Sequence, residues 1–257
     1  MELEKYLEEM KVGYLIGRGG INPQNPTCVM IHGAGGMARI WINQLNNMQS
    51  GVNLVALDLP GHGNTAGDGF SSIKEYASWL GEVLRKAFDE QVFLMGHSMG
   101  GAIVIEAAFT YPDILKGIIL VGTGTRLKVA PAFLEGLQNN FNTTVENIVR
   151  YAYAKKSSKE LLEEGVNIMK AAGQEVLIND FTACDEFDCQ DEISLLDIPT
   201  LIVCGKEDRL TPPKLSENLH KDIRDSRLVL IEGAGHMVMV EKFEEFNKAV
   251  YDFLISS

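Results

Sequence analysis

The 257-residue sequence has no apolar run approaching the roughly 18 residues that a membrane-spanning helix needs. Its longest apolar stretches, such as KGIILVG at residues 116–122, are strand-sized. The opening, MELEKYLEEMKVGYLIG, is acidic and has no sustained apolar core, so we expect neither a secretory signal nor a stable membrane anchor. Cysteine is scarce. The four residues Cys28, Cys184, Cys189 and Cys204 form no zinc-like double pair. Cys28 and Cys204 sit inside apolar, strand-like stretches, and no histidine stands near Cys184 and Cys189 to complete a metal site. All four are read as reduced thiols of a cytoplasmic protein, with no metal expected. Positive charge is also in deficit: 23 Lys and Arg against 35 Asp and Glu leave a net charge of −12. Such a chain repels phosphate backbones and anionic membrane surfaces, which argues against nucleic acid as a partner.

What the sequence does have is alternation. Six short stretches, TCVMIHG, NLVALDLPG, QVFLMGH, KGIILVG, PTLIVCG and RLVLIEG, are rich in Val, Ile and Leu and lack a two-residue polar period. This pattern suits strands buried on both faces of a parallel sheet. Helical patterns lie between and after them, near residues 37–48, 71–88, 100–110, 213–220 and 242–255. The class is therefore α/β, with helices expected on both faces of the sheet. The alternation fails once, between about Thr125 and Glu192, where helical spacing and loops replace strands. Residues 125–192 are read as a helical insertion, and residues 1–124 and 193–257 as the core. The acidic cluster Asp185, Glu186, Asp188, Asp191 and Glu192 is read as a solvated surface.

At the join between the third strand stretch and the helix after it stands Gly96-His97-Ser98-Met99-Gly100. A sharp strand-to-helix turn crowds the backbone and calls for residues without Cβ, hence Gly96 and Gly100. The turn pushes the Ser98 hydroxyl outward, beside the positive end of the next helix. A serine hydroxyl is a poor nucleophile without a base, and the base needs an orienting group. TLIVCGKED ends in Asp208 and LVLIEGAGH ends in His236, each just beyond a strand. Asp208 and His236 complete a set with Ser98, with Glu207 the rival acid. An oxyanion formed on this serine needs backbone donors. The expected ones are the N–H groups of Met99 and of Ala34, the latter in the loop MIHGAGG, where His32 and Gly33 support the turn. The same loop read as a phosphate cradle lacks the Lys-Ser/Thr partner such a loop requires. Of the other histidines, His97 is expected to pack behind the turn, His62 to buttress a loop and His220 to end a helix at the surface.

Taken together and in order, HGAGG, DLPGHG, GHSMGG, IPTLIVCGKED and GAGH resemble the α/β-hydrolase superfamily over residues 27–254. HGAG with GHSMGGAI is similar to its serine esterase and monoacylglycerol lipase–lysophospholipase branch. The resemblance implies a mostly parallel eight-stranded sheet and a helical lid inserted between strands 6 and 7. It implies nucleophile–acid–base roles for Ser98, Asp208 and His236, and no cofactor. Because so little chain precedes Gly20, the N-terminal hairpin is expected to be reduced. Ser98 at the turn separates this chain from the branches that carry aspartate there, the haloalkane dehalogenases and epoxide hydrolases. Phe243 stands where relatives often carry proline.

The expected reaction is hydrolysis of carboxylic esters with small or medium apolar acyl groups, through an acyl-enzyme. The same triad also serves lactonases, thioesterases, aminopeptidases and C–C bond hydrolases, and the fold also hosts non-enzymatic ligand receptors. The insertion carries Phe133, Leu134, Leu137, Phe141, Val145, Ile148, Tyr151 and Tyr153 at roughly helical spacing, read as packing with some lining a pocket. Met37, Met99, Met237 and Met239 lie beside the site motifs and suit an adaptable apolar cavity or ordinary core packing. The expected partner is a small-molecule ester or acyl substrate, and nothing in the sequence fixes the oligomeric state.

Overall fold

The computed structural model describes residues 2–256; Met1 and Ser257, which fall within the expected core, lie outside the described residues. Seven strands form one sheet: β1 (Tyr14–Ile16), β2 (Thr27–Ile31), β3 (Asn53–Leu57), β4 (Val92–His97), β5 (Leu115–Val121), β6 (Thr200–Gly205) and β7 (Ser226–Ile231). Their spatial order is β1-β3-β2-β4-β5-β6-β7. All neighbours are parallel except β1, which runs antiparallel to β3. The sheet thus has seven strands among the described residues where eight were expected. The physical reason lies in the first residues, which form helix α1 (Glu2–Glu9). Leu3, Leu7 and Met10 recur at three- and four-residue spacing, a helical period, and Leu7 is buried in the core beside Ile73 and Tyr76.

The remaining helices are α2 (Ile42–Asn47), α3 (Ile73–Ala87), α4 (Met99–Thr110), α5 (Pro131–Asn139), α6 (Phe141–Ala152), α7 (Lys159–Ala172), α8 (Gln174–Glu186), α9 (Pro213–Asp222), α10 (Val238–Glu241) and α11 (Phe243–Ser256). The helical stretch expected near 37–48 opens as a 3₁₀ turn, Ala38–Trp41, before α2. The last one, expected at 242–255, is α11, and the short α10 precedes it. Helices α5 to α8 all lie between β5 and β6.

Two apolar clusters sandwich the sheet. One holds Val29, Ile31, Val55, Leu57, Leu94 and Leu120 with α3 and α4. The other holds Met30, Phe93, Met95, Ile119 and Val203 with Trp41, Phe246 and Phe253. Adjacent strand residues go to opposite clusters, so both faces are covered and the strands carry no polar alternation. A third, smaller cluster (Leu137, Val145, Ile148, Val149, Ala152, Tyr153, Leu177) belongs to the inserted helices. All four cysteines are free and buried. Burial pushes the Cys204 and Cys189 thiols up to about 12, so they stay protonated. No helix among the described residues is long and apolar enough to cross a membrane.

Candidate active site

Ser98 stands between β4 and α4 with φ 55° and ψ −116°, a left-handed conformation rare outside glycine. The surroundings hold it there. The Ser98 N–H donates to Val121 O (2.8 Å), and Thr123 Oγ1 donates to Ser98 O (2.9 Å). A Cβ on Gly96 would overlap the Gly100 carbonyl, and one on Gly100 would come within 2.6 Å of the Ile31 and His32 carbonyls. Both glycines are required because strand, turn and helix pass at backbone contact distance.

His236 and Asp208 are both 4% exposed. His236 Nδ1 lies 2.8 Å from Asp208 Oδ2. Because a carboxylate only accepts, Nδ1 carries a proton, which in the neutral ring leaves the lone pair on Nε2. Asp208 is itself held tightly: its Oδ1 accepts from the N–H groups of Leu210 and Thr211, each at 2.9 Å. Thr211, which the sequence reading missed, completes the arrangement. Its Oγ1 lies 2.8 Å from Asp208 Oδ2, 2.7 Å from Gly122 O and 3.0 Å from His236 Nδ1. The rival acid Glu207 is exposed.

The structure brings Ser98 and His236 to one cavity of about 520 Å³, although the serine hydroxyl has no hydrogen-bond partner among the described residues. Gly33, Ala34, Gly35 and Gly36 line the same cavity. Within that loop the Gly36 N–H donates to Gly33 O (3.0 Å) and the Gly35 N–H donates to Asp180 Oδ2 (2.8 Å). The N–H groups of Ala34 and Met99 are left without partners among the described residues.

The other histidines divide by chemistry. His32 donates from Nδ1 to Gly33 O (2.8 Å) and accepts the Leu59 N–H on Nε2 (3.0 Å). Burial, and then the neighbouring His62, hold it well below the usual imidazole range, so it is neutral. His97 packs its ring 4.5 Å from that of His236, and its Nε2 lies 3.0 Å from His236 O. Burial, and then His236, depress it likewise, so the neutral ring donates to that carbonyl. His220 meets Ser226 Oγ at the surface (2.8 Å), as expected for a helix end. His62 does more than buttress a loop: its Nε2 lies 2.9 Å from Asp180 on α8.

The inserted helices roof the cavity with Phe133, Ile148, Tyr153, Leu161 and Met169. Of the four methionines flagged beside the motifs, Met237 joins this lining, while Met99 and Met239 are core. Tyr151 is 47% exposed, with the Arg209 guanidinium 5.1 Å over its ring. Three cations on the lining have acidic partners: Arg39 lies 4.0 Å from Glu164, Arg126 3.4 Å from Asp188 and Lys128 3.6 Å from Asp185, whereas Arg209 meets the Tyr151 ring and backbone carbonyls. The acidic cluster is therefore only partly a solvated surface, since Asp185 and Asp188 brace the start of the insertion.

The foot of α6 is tied to both the acid and histidine loops. The His236 N–H donates to Ala152 O (2.7 Å), and Arg209 Nη2 donates to Tyr153 O (2.9 Å). Glu241 accepts from the Ala154 N–H (2.8 Å), Ser157 Oγ (2.8 Å) and the Gly235 N–H (2.9 Å).

Residues 28–249 match the model of the alpha/beta hydrolase family. Over 239 residues the chain is 26% identical to a pimeloyl-[acyl-carrier protein] methyl ester esterase of Neisseria meningitidis, covering 88% of this chain and 92% of that protein. A solved thermophilic esterase is 36% identical, with a TM-score of 0.84 over 95% of this chain and 93% of that one. A hydrolase from Oleispira antarctica superposes with a TM-score of 0.89 over 100% of this chain and 98% of the other, at 19% identity, a likeness of fold alone. With the match spanning most of its length, the chain belongs to the alpha/beta hydrolase family.

Proposed function

We propose that this protein is a serine hydrolase that cleaves carboxylic esters of small or medium apolar acyl groups through an acyl-enzyme. The observation that carries the reading is the Asp208–His236 pair beside an outward-turned Ser98 in one cavity. His236 Nε2 takes the Ser98 proton as the hydroxyl attacks the ester carbonyl, and later returns it to the leaving alcohol. Asp208 keeps the second ring proton on Nδ1 and stabilises the imidazolium. The N–H groups of Ala34 and Met99, both otherwise unused, are the donors for the oxyanion. A water then attacks the acyl-enzyme by the reverse sequence.

The apolar roof supports an apolar acyl group. The esterase relatives favour ester cleavage over the other reactions of such a triad. Residues 125–192 act as the lid that roofs the apolar acyl site, and the enzyme works in the cytoplasm on a small-molecule substrate. The test is turnover of p-nitrophenyl esters of increasing chain length. Ser98→Ala, compared at equal folded protein, is expected to lose about 10³-fold or more in kcat. Undiminished hydrolysis by that variant overturns the reading. A parallel panel of lactones, thioesters and amides with lower kcat/KM than the esters supports the ester assignment, and the opposite ranking overturns it.

A further inference from the structure

Outside the triad, Glu241 and Asp180 each hold three hydrogen-bond partners among the described residues, and of the two Asp180 is the fully buried one. It sits on α8 within the inserted helices and is 0% exposed. Its Oδ2 accepts from the Gly35 N–H (2.8 Å) and faces His62 Nε2 (2.9 Å), and its Oδ1 accepts from Tyr76 Oη (2.6 Å). The three partners come from three segments: the glycine-rich loop after β2, the loop after β3, and α3. Burying a carboxylate is costly unless it is paired and hydrogen-bonded, and this set of donors meets that requirement. His62 faces an acceptor on each ring nitrogen, Pro60 O at 3.0 Å and Asp180 at 2.9 Å. A neutral imidazole has a single N–H, so only the imidazolium satisfies both.

The position of these bonds in the loop gives Asp180 its significance. The Gly33–Ala34 peptide, which carries the Ala34 N–H, is held by its carbonyl, on which His32 Nδ1 and the Gly36 N–H converge. The next peptide, Ala34–Gly35, is held from outside the loop, by its N–H on Asp180. Gly35 has φ +62°, and a Cβ there would press on Leu177 of α8 and Met169 of α7, so loop and inserted helices meet closely at this point. We infer that Asp180 is a positioning residue, carried by the inserted helices, that fixes the Ala34–Gly35 peptide and so aims the Ala34 N–H at the developing oxyanion. The oxyanion site is then complete only while α8 is docked on the core, which links seating of the insertion to the chemical step. This inference rests on the serine hydrolase reading above.

Asp180→Asn keeps the shape but has to turn an N–H₂ toward either Gly35 and His62 or Tyr76. Tyr76→Phe removes only the donor on Oδ1 and leaves Gly35 bonded. Both variants, with wild type and Ser98→Ala, are to be compared at equal folded protein for kcat, KM and inhibition by a trifluoromethyl ketone, whose hydrated or serine-bound form mimics the tetrahedral oxyanion. Asp180→Asn is expected to lower kcat about 10- to 100-fold, as a small misplacement of a catalytic group does. KM should change less than about threefold, and the inhibition constant should rise by the factor lost in kcat/KM. Tyr76→Phe is expected to show the same split at smaller size, and it carries the test by itself if Asp180→Asn does not fold. A folded variant with wild-type kcat and inhibition, or one altered in KM alone, overturns the positioning role while leaving the triad reading intact. Full activity in Ser98→Ala overturns both.

Discussion

Among single residues, Thr211 shows how much of a site lies behind its reacting atoms. A hydroxyl has one proton and two lone pairs. When it donates to Gly122 O, it is free to accept a share of the His236 N–H, and when it donates to Asp208 it steadies the carboxylate. Thr211→Val removes that hydroxyl at nearly constant size and leaves the buried Gly122 carbonyl without it. A stability loss of about 1–3 kcal/mol is expected from the denaturant midpoint. A lower kcat should accompany it, because the ring is held less firmly; an unchanged kcat would reduce Thr211 to a packing residue.

Among the elements, α7 differs from its neighbours in the insertion. It contains no buried residue, whereas α6 buries Thr144, Val145, Ile148, Val149 and Ala152. Its apolar face lines the cavity through Leu161, Ile168 and Met169, which pack only half-buried against the neighbouring clusters. It ends at Gly173, whose φ of +86° falls in the region glycine enters without strain. Segments with few buried apolar contacts open at low free-energy cost. Amide hydrogen exchange is therefore expected to be faster across residues 159–172 than across 141–152. Equal protection in the two would remove α7 as the compliant wall of the cavity.

For the whole molecule, the buried His62–Asp180 pair makes stability depend on pH. Burial alone lowers the His62 pKa, but the hydrogen bond and charge of Asp180, with smaller help from Pro60 O and Asp58, raise it above the ordinary 6.5. The other titratable groups against it are the neutral His32 ring, 4.7 Å away, and Tyr76, bonded to the same carboxylate. A raised folded-state pKa contributes stability that is fully present below 6.5 and is lost as pH climbs through the folded value. The stability gap between wild type and His62→Gln is thus expected to be largest at mildly acid pH and to shrink as pH rises. A gap that is flat or widens with pH would show that the ring is not held as imidazolium.

The same scale shows what was legible beforehand. Ser98, Asp208, His236 and the glycine-rich loop announce themselves because each sits at a strand end, where the apolar run stops and a short polar signature follows. The sheet and its inserted helices follow from buried-strand patterning. The eighth strand, absent among the described residues, is an expectation of the family resemblance, whereas the spacing of Leu3, Leu7 and Met10 is that of the helix α1. Asp180 and Thr211 were overlooked because their partners are set by tertiary approach. The available signals were faint: a carboxylate on the apolar side of α8 among Leu177, Phe181 and Cys184, and a threonine three residues past the acid.

The foot of α6, whose carbonyls receive the His236 N–H and the Arg209 guanidinium, ties one side of the roof to the loops that hold acid and base. Any swing of that side pulls on the loops that carry Asp208 and His236. The opposite flank is lined by α7, which has no buried residue, so on the proposed reading residue changes there can retune what the cavity accepts while Ser98, Asp208 and His236 stay as they are. Durable machinery and adjustable taste are thereby housed in separate walls of a single chamber.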